Sequence, residues 1–168
     1  SSVEGKFKDF SGELFFDADN PKKSAKGSKL SANVQVSSID TGNKSRDKHL
    51  RSADFFDVKK NKELKFESKS FSTKNGKDFE IKGKLTISGK SKNVVFKTKY
   101  LGTMEAYDVK RVAFVAKTII KREDFGLTWN DGDVTAKGVA GKVIEAAGAV
   151  GSEVEIELKI QAKRKADL

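Results

Sequence analysis

The feature that most constrains this chain is a period-two alternation of apolar and polar residues along most of its length. The stretch DFEIKGKLTISG sets one apolar row against lysine, glutamate and threonine: Phe79, Ile81, Leu85 and Ile87. Successive side chains of a β-strand point to opposite faces of a sheet. Such a row therefore predicts a strand that is buried on one face and solvated on the other.

The same alternation recurs in four further runs. NVVFKTKYLG and SEVEIELKIQ carry long apolar rows: Val94, Phe96, Thr98 and Tyr100 in the first, and Val154, Ile156, Leu158 and Ile160 in the second. SANVQVSSI and KELKFESKSF carry shorter ones: Ala32, Val34 and Val36, then Leu64 and Phe66. A looser strand, GKFKDFSGELFFD, contains Gly12 as a predicted bulge or point of close approach. Each run is long enough to form one strand of a sheet.

One run, VKRVAFVAKTII, departs from the alternation. It is apolar on both faces between Val112 and Ile120 and includes Phe114. A strand that is apolar on both faces is typical of a sheet covered by other layers on both sides. We therefore expect this strand to be covered on both sides.

Turn signals separate the strands. Asn75-Gly76 and Gly89-Lys90-Ser91 are predicted hairpin turns, and residues 130–133 (NDGD) form a further turn signal. Helix is predicted only for residues 44–52 and 138–149. Many short strands, one proline and no linker-like stretch predict a single all-β domain over residues 1–168, an antiparallel barrel or sandwich with one or two short helices.

Composition excludes several functional classes. The chain has no cysteine, which excludes a disulfide framework, thiol catalysis and zinc–thiolate sites. It has one histidine and no Gly-x-Ser-x-Gly motif, so nucleophilic catalysis lacks its usual base and its usual turn. The segment around Asp17 and Asp19 begins like a calcium loop, but Pro21 follows and the terminal glutamate is absent. We therefore predict no catalytic residue, no metal ligand and no cofactor.

The basic balance of the chain raises the question of a polyanionic partner. The formal net charge is +10, from 34 Lys and Arg against 24 Asp and Glu, spread over both halves of the sequence. Most lysines alternate with apolar residues, as on a solvated strand face rather than in a groove that follows phosphates. We therefore predict no specific binding of nucleic acid. A basic outer face would favour peripheral contact with an anionic membrane.

The segment TGNKSRDKHLRSADFFDV, residues 41–58, concentrates charge around the only histidine. We interpret it as structural, a plug or rim near one end of a barrel, in which Asp47 pairs with Arg46 or Arg51. His49 is more simply a hydrogen-bonding residue than a catalytic base. The apolar residues of the segment are expected to anchor it: Leu50, Phe55 and Phe56. A ligand head group could still contact Arg46, His49 or Arg51.

The apolar face of the predicted sheet leaves two alternatives open. Barrels of about eight strands are either filled by their own side chains or hold one small ligand. The twelve phenylalanines, against one tryptophan and two tyrosines, suit a wall with few polar groups in both cases. The pattern alone does not decide between a packed core and a carrier of an apolar ligand.

Four stretches resemble one known family. SSIDTGNKSRDKHLRSADFFDV, GKLTISGKSKNVVF, KREDFGLTWN and VGSEVEIELKIQA, in this order, resemble the signature of the YceI-like polyisoprenoid-binding family. The resemblance implies an extended antiparallel lipocalin-like β-barrel that holds a long isoprenoid chain, often in an exported, periplasmic protein, with no reaction established for the family. Family chains usually begin with a further strand, which contains Asp-x-x-His-Ser, and we expect that strand to be missing here. A homodimer is a further expectation.

These observations lead to a specific functional prediction. We expect a long-chain isoprenoid or similar apolar lipid to bind in an open barrel interior, for transport or storage, against the following residues: Val34, Phe66, Phe79, Ile81, Leu85, Ile87, Val94, Phe96, Phe114, Ile156 and Leu158. Leu85 and Phe96 are predicted to lie near each other across the second hairpin. The alternatives are an enzyme acting on such a lipid or its diphosphate, and an interaction module with a filled core.

Overall fold

The computed structural model of the chain describes residues 4–127 and 152–163. The predicted helix at residues 138–149 and the turn at residues 130–133 lie outside the described residues. The strands are β1 (Lys6–Phe7), β2 (Phe10–Phe15), β3 (Lys29–Gln35), β4 (Ile39–Asp40), β5 (Glu63–Thr73), β6 (Asp78–Ile87), β7 (Lys90–Ala106), β8 (Val109–Lys121) and β9 (Glu153–Lys163). The helices are α1 (Pro21–Ser24) and α2 (Lys44–Arg51), with 3₁₀ turns at Ala25–Gly27, Val36–Ser38 and Arg122–Phe125.

Seven strands form one antiparallel sheet in the order β2-β3-β5-β6-β7-β8-β9. The sheet is strongly curled into a half-barrel, and among the described strands β2 and β9 are its two edges. The short strands β1 and β4 pair separately. The predicted all-β antiparallel fold with short helices is confirmed, and α2 begins at the predicted residue. No helix in the described ranges is long and apolar enough to cross a bilayer.

The hairpin between β6 and β7 corrects one prediction. β6 ends at Ile87 and β7 begins at Lys90, so the turn is formed by Ser88 and Gly89, both with positive φ. This two-residue turn fixes the register of the hairpin. Leu85 therefore lies opposite Lys92, and Phe96 lies opposite Ile81. The two residues are four positions apart along the ladder, so the prediction that they lie near each other across it is wrong.

The inner face of the sheet holds the core, and part of the outer face is exposed. Residues such as Phe79, Ile81 and Phe96 on the inner face are almost completely buried. On the outer face of β8, Ile119 is 63% exposed. The expectation that the strand from Val112 to Ile120 is covered on both sides is therefore wrong for Ile119, because the described residues place no second layer over it.

Residues 16–28, which we call the cap segment, lie over one end of the half-barrel. The Phe16 ring packs edge-on against Tyr100 and Phe114, with ring centroids 5.1 and 5.0 Å apart. Further along the segment, Ala25 joins the buried core. The cap segment thus closes one end of the inner face with side chains from the start of the chain.

Two glycines allow a close approach of neighbouring groups. A Cβ atom on Gly12 would collide with the backbone of Ser31 on β3, as the predicted close approach requires. A Cβ atom on Gly83 would lie 2.6 Å from the Phe66 ring. Gly83 therefore leaves the space in which that ring rests on β6.

Candidate functional site

The eleven side chains predicted to contact a ligand all lie in the sheet, and their burial divides them into two groups. Seven are buried: Phe66, Phe79, Ile81, Leu85, Ile87, Phe96 and Phe114. Four are only partly buried: Val34, Val94, Ile156 and Leu158. The first group forms the middle of the inner face, and the second group lies toward its margins.

Aromatic rings pack closely in the middle of the inner face. The rings of Phe66 and Phe96 are 5.0 Å apart in a T-shaped arrangement, and those of Phe79 and Phe114 are 6.4 Å apart. Such edge-to-face contacts add stabilisation beyond the burial of apolar area. Phe71 also packs against Phe79. This part of the face is a packed wall of side chains.

At the margin of the inner face, apolar side chains remain partly open. On the edge strand β9, Ile156, Leu158 and Ile160 are partly buried and pack against the core cluster. On the other edge strand, β2, Leu14 is also partly buried and packs against the core cluster. An apolar ligand would therefore find its accessible contact area along these edges, next to the buried rings.

Tyr100 lies where the inner face meets the cap segment. Its ring contacts Phe16 and Phe114. Burial, and secondarily the negative charge of Asp19, raise the pKa of the Tyr100 phenol above its ordinary value. Asp19 also forms an ion pair with Lys110 of β8, at 3.7 Å. The end of the inner face under the cap segment therefore carries a polar group, a cation and an anion beside aromatic rings.

Sequence reasoning missed two aromatic members of the inner face. Phe71 was missed because β5 contains a register shift between Ser68 and Ser70, which carries Phe71 to the same face as Phe66 although five positions separate them. Phe16 was missed because it lies just beyond the end of β2, in a loop without periodicity. A closer look at the pair Phe15-Phe16 next to a turn signal could have found it.

The charged segment around α2 is held by its own hydrogen bonds. The Asn43 side chain accepts a hydrogen bond from the backbone N–H of Arg46 and caps the helix. The Arg46 guanidinium donates to the hydroxyl and the carbonyl oxygen of Thr41, at 2.8 and 2.9 Å. The Arg51 guanidinium donates to the carbonyl oxygens of Ser37 and Ile39. Both arginines therefore join α2 to the chain that precedes it.

Asp47 does not pair with an arginine among the described residues, which corrects a prediction. Its buried carboxylate accepts hydrogen bonds from the backbone N–H and the hydroxyl of Thr41. It was expected to pair with Arg46 or Arg51, but both guanidinium groups point to backbone carbonyls and to the Thr41 hydroxyl instead. Thr41 is the shared partner that sequence reasoning overlooked.

His49 is hydrogen-bonded, in keeping with its structural interpretation. Its Nε2 lies 2.9 Å from the Asp54 carboxylate, and its ring packs edge-on against Phe55. The side chain is 38% exposed. Phe56 packs against the core cluster and against Phe7. The segment is thus anchored by Phe56, as predicted, while contact of a head group with Arg46, His49 or Arg51 stays a prediction.

The 3₁₀ turn Arg122–Phe125, which follows β8, contacts Ser152, the residue before β9. Arg122, which is buried, donates a hydrogen bond to the carbonyl oxygen of Leu127, and its backbone N–H donates to Ser152. The Ser152 hydroxyl donates to Glu123 at 2.9 Å. The hydrogen bond from its own backbone N–H, with further help from Ser152, lowers the pKa of the Glu123 carboxyl. These contacts hold β9 in register beside β8.

A broad open groove crosses the outer face of the sheet. Its volume is about 1650 Å³, and its lining includes exposed lysines and aliphatic residues such as Lys97, Lys117 and Ile119. Of the eleven predicted ligand-binding residues, only Phe79 and Val94 border it. The groove therefore lies mostly over the outer face, and nine of the eleven predicted ligand-binding residues lie away from it.

Within residues 4–127 and 152–163, no three His, Cys, Asp or Glu side chains gather in a group that could hold a metal ion. His49, the histidine of the chain, contacts Asp54 but lies outside the apolar inner face. The described geometry thus offers surfaces for binding.

Comparison with known proteins decides the family. The model of the YceI-like domain matches residues 1–162. The chain belongs to the YceI-like family. The UPF0312 protein of Serratia proteamaculans is 40% identical over 129 residues, and the protein YceI of Salmonella newport is 38% identical over 129 residues. Each match covers 76% of this chain and 65% of the relative, slightly less than two thirds of the relative's length.

Solved structures of several proteins share the fold. The YceI protein of Campylobacter jejuni is 26% identical with a TM-score of 0.78, and the match covers 98% of this chain and 86% of the other. BcnA of Burkholderia cenocepacia is 25% identical with a TM-score of 0.74, over 95% and 87% of the two chains. A polyisoprenoid-binding domain of Saccharophagus degradans, at 12% identity, has a TM-score of 0.62, over 95% and 84%. This last likeness shows the fold alone.

Proposed function

We propose that this YceI-like chain binds a long-chain isoprenoid or a similar apolar lipid on the inner face of its half-barrel, for transport or storage. The observation that carries the proposal is the continuous apolar inner face, whose margin at Ile156, Leu158 and Ile160 remains partly open beside the buried rings. Burial of apolar area drives such binding without specific polar contacts. A fold neighbour named as a polyisoprenoid-binding domain supports the same ligand class.

A binding role, rather than catalysis, fits the inner face. The polar side chains buried there are threonines such as Thr98, whose hydroxyl donates to the carbonyl oxygen of Phe96. Acid–base catalysis on a lipid or its diphosphate would need titratable groups beside the substrate. The titratable groups described at the inner face, Tyr100, Asp19 and Lys110, lie at its end under the cap segment rather than among the buried rings, so the observations favour binding over the enzyme hypothesis. The periplasmic location and the homodimer stay predictions.

A second candidate, an interaction module with a filled core, is favoured by the close packing of Phe66, Phe96, Phe79 and Phe114. The two candidates differ in one measurable property. A lipid carrier takes up lipid in amounts comparable to protein, and a filled core does not.

Solvent extraction of the purified chain followed by mass spectrometry tests the proposal. We expect an apolar lipid to co-purify, and the extracted protein to take up a polyprenol added in detergent. Ala116→Trp places a large ring on the inner face, where Ala116 is buried, and should lower lipid recovery. Ile119→Trp, on the exposed outer face of the same strand, is the matched control and should retain it. A wild-type chain that neither carries nor takes up lipid would establish the filled core.

A further inference from the structure

Strands β7 and β8 extend beyond β6 as a protruding hairpin. The pairing of β7 with β6 ends at Lys99, whereas β7 continues to Ala106 and returns through Tyr107 and Asp108 into β8. We call residues 99–113, together with the neighbouring residues 159–163 of β9, the arm. Residues 159–163 of β9 lie along β8 in this region. The arm is therefore a small three-stranded extension of the sheet with two faces of its own.

The outer face of the arm is basic. Two rows of residues cross the three strands of the arm in register. The first row is Lys99, Val115 and Lys159, and the second is Met104, Arg111 and Lys163. Because side chains alternate between faces, these rows place four cations on one side: Lys99, Arg111, Lys159 and Lys163. The acidic residues of the arm lie elsewhere, Glu105 opposite Lys110 on the other face and Asp108 in the turn. Lys159 also contacts Glu157 at 3.7 Å.

Exposed apolar side chains lie beside these cations. Leu101 is 62% exposed, Met104 is 51% exposed and Tyr107, at the tip, is 99% exposed. Scattered exposed apolar residues are ordinary on protein surfaces. Three of them on one short hairpin, next to four cations, form a surface that is both apolar and positively charged. Such a surface is suited to a partner that is both negatively charged and apolar.

The backbone at the tip supplies a second observation. Tyr107 and Asp108 both have positive φ, 52° and 60°, as in the two-residue turn that favours asparagine and glycine. A bulky residue such as tyrosine is an outlier at positive φ, and this conformation costs folding free energy. The exposed Tyr107 ring gains little packing in return. A residue that breaks a local rule without a packing reason points to a role outside the fold.

We propose that the outer face of the arm docks onto an anionic lipid membrane. Tyr107, Leu101 and Met104 enter the membrane–water interface, where tyrosine is enriched and aliphatic side chains lose contact with water. The four cations contact the lipid phosphates, to which basic residues near a membrane surface are attracted. A nucleic acid would use the cations but would leave Leu101 and Met104 in water, so the membrane is the partner that accounts for both.

This docking would also place the proposed lipid site near a source of lipid. At the base of the arm, Tyr100 and the adjacent Phe114 contact Phe16 of the cap segment at the end of the inner face. The inference does not depend on the ligand of the inner face, because membrane docking and lipid extraction are measured separately. Membrane docking can fail while lipid binding holds, and lipid binding can fail while docking holds.

Flotation of the chain with vesicles tests the inference. Vesicles of phosphatidylcholine and phosphatidylglycerol in equal parts are compared with vesicles of phosphatidylcholine alone, at low and at physiological salt. We expect flotation only with the anionic vesicles, weakened by salt. The double variant Arg111→Gln, Lys163→Gln should bind more weakly by roughly five-fold for each cation removed. The control variant Lys82→Gln, Lys84→Gln removes two exposed outer cations of β6, outside the arm, and should change binding less.

Tyr107→Asn separates docking from folding. Asparagine suits the positive φ of the turn, so this variant should melt at or above the wild-type temperature while it floats less well. Equal losses for the arm and β6 variants would show general charge attraction and overturn the inference. Loss of flotation in the Arg111→Gln, Lys163→Gln variant with no loss in Tyr107→Asn would show electrostatic attraction to the vesicle surface without entry of the tip, and would also overturn the inference. A lower melting temperature of Tyr107→Asn with unchanged flotation would make the tyrosine structural.

Discussion

The inner face of the half-barrel and the outer face of the arm share strands β7 and β8, but the apolar side chains of the first are buried and those of the second are exposed. On the inner face, Phe96 and Phe114 are 2% exposed and pack against other rings. On the arm, a few residues further along, Leu101 and Met104 are at least half exposed. Both sets obey the alternation of a strand. What differs is whether another layer lies above them.

The difference shows what alternation does and does not encode. A period of two assigns residues to a face, but it does not say whether the face is covered. On the inner face, the curl of the sheet and the cap segment bring rings from distant strands together. The arm has passed the edge of β6 and is outside that curl. The same pattern therefore yields a core in one region and an exposed surface in the other.

The largest effect is expected from a truncation on the inner face. Phe96→Ala in delipidated protein should lower the free energy of unfolding by about 3–5 kcal/mol, because it leaves a cavity among packed rings. Denaturant unfolding measures the change. The matched outer-face variant, Ile119→Ala, should change it by about 0.5 kcal/mol or less, since Ile119 is mostly exposed. Similar losses in both variants would remove the contrast between the two faces.

An intermediate effect is expected in the charged segment around α2, a third kind of region held by polar contacts. Asp47→Ala leaves the hydrogen-bond donors of Thr41 without their buried acceptor and should cost about 1–3 kcal/mol. His49→Ala should cost less than about 1 kcal/mol, because its contact with Asp54 is largely open to water. Thermal unfolding of the two variants checks the order. If His49→Ala proved the more harmful change, the segment would depend on the histidine and not on Asp47.

The smallest effect concerns the boundary between the two faces, at Tyr100. Burial raises the pKa of its phenol, so the folded state favours the neutral form relative to the unfolded chain. The resulting stability is present below the ordinary pKa of 10.0 and is lost as the pH rises through the higher folded pKa. Tyr100→Phe should therefore show a shallower alkaline loss of stability than the wild type in melting curves above pH 10. Identical alkaline slopes would place the phenol in water.

The sequence was sufficient for the fold class because five runs alternate clearly and four stretches match one family. The sequence was insufficient wherever one inserted or omitted residue changes the register of a strand. The register shift before Ser70 moved Phe71 onto the inner face, and the two-residue turn at Ser88 separated Leu85 from Phe96. Residues without periodicity were equally hard to place. Phe16 acts from a loop, and Thr41 became the partner of Asp47 through a contact that charge pairing does not suggest.

The contact between Phe16 and Phe114 bears on how the chain folds. Most strands of the large sheet pair with the next strand of that sheet along the chain, so β5 to β8 can form from successive hairpins with short loops to close. The cap segment cannot dock until β7 and β8 exist, because Phe16 rests on Tyr100 and Phe114. We expect its contacts to form after the main barrier to folding, so that Phe16→Ala mainly speeds unfolding. Undocking of the cap segment would then be an early step of unfolding, and it would uncover the end of the inner face while the sheet is still intact.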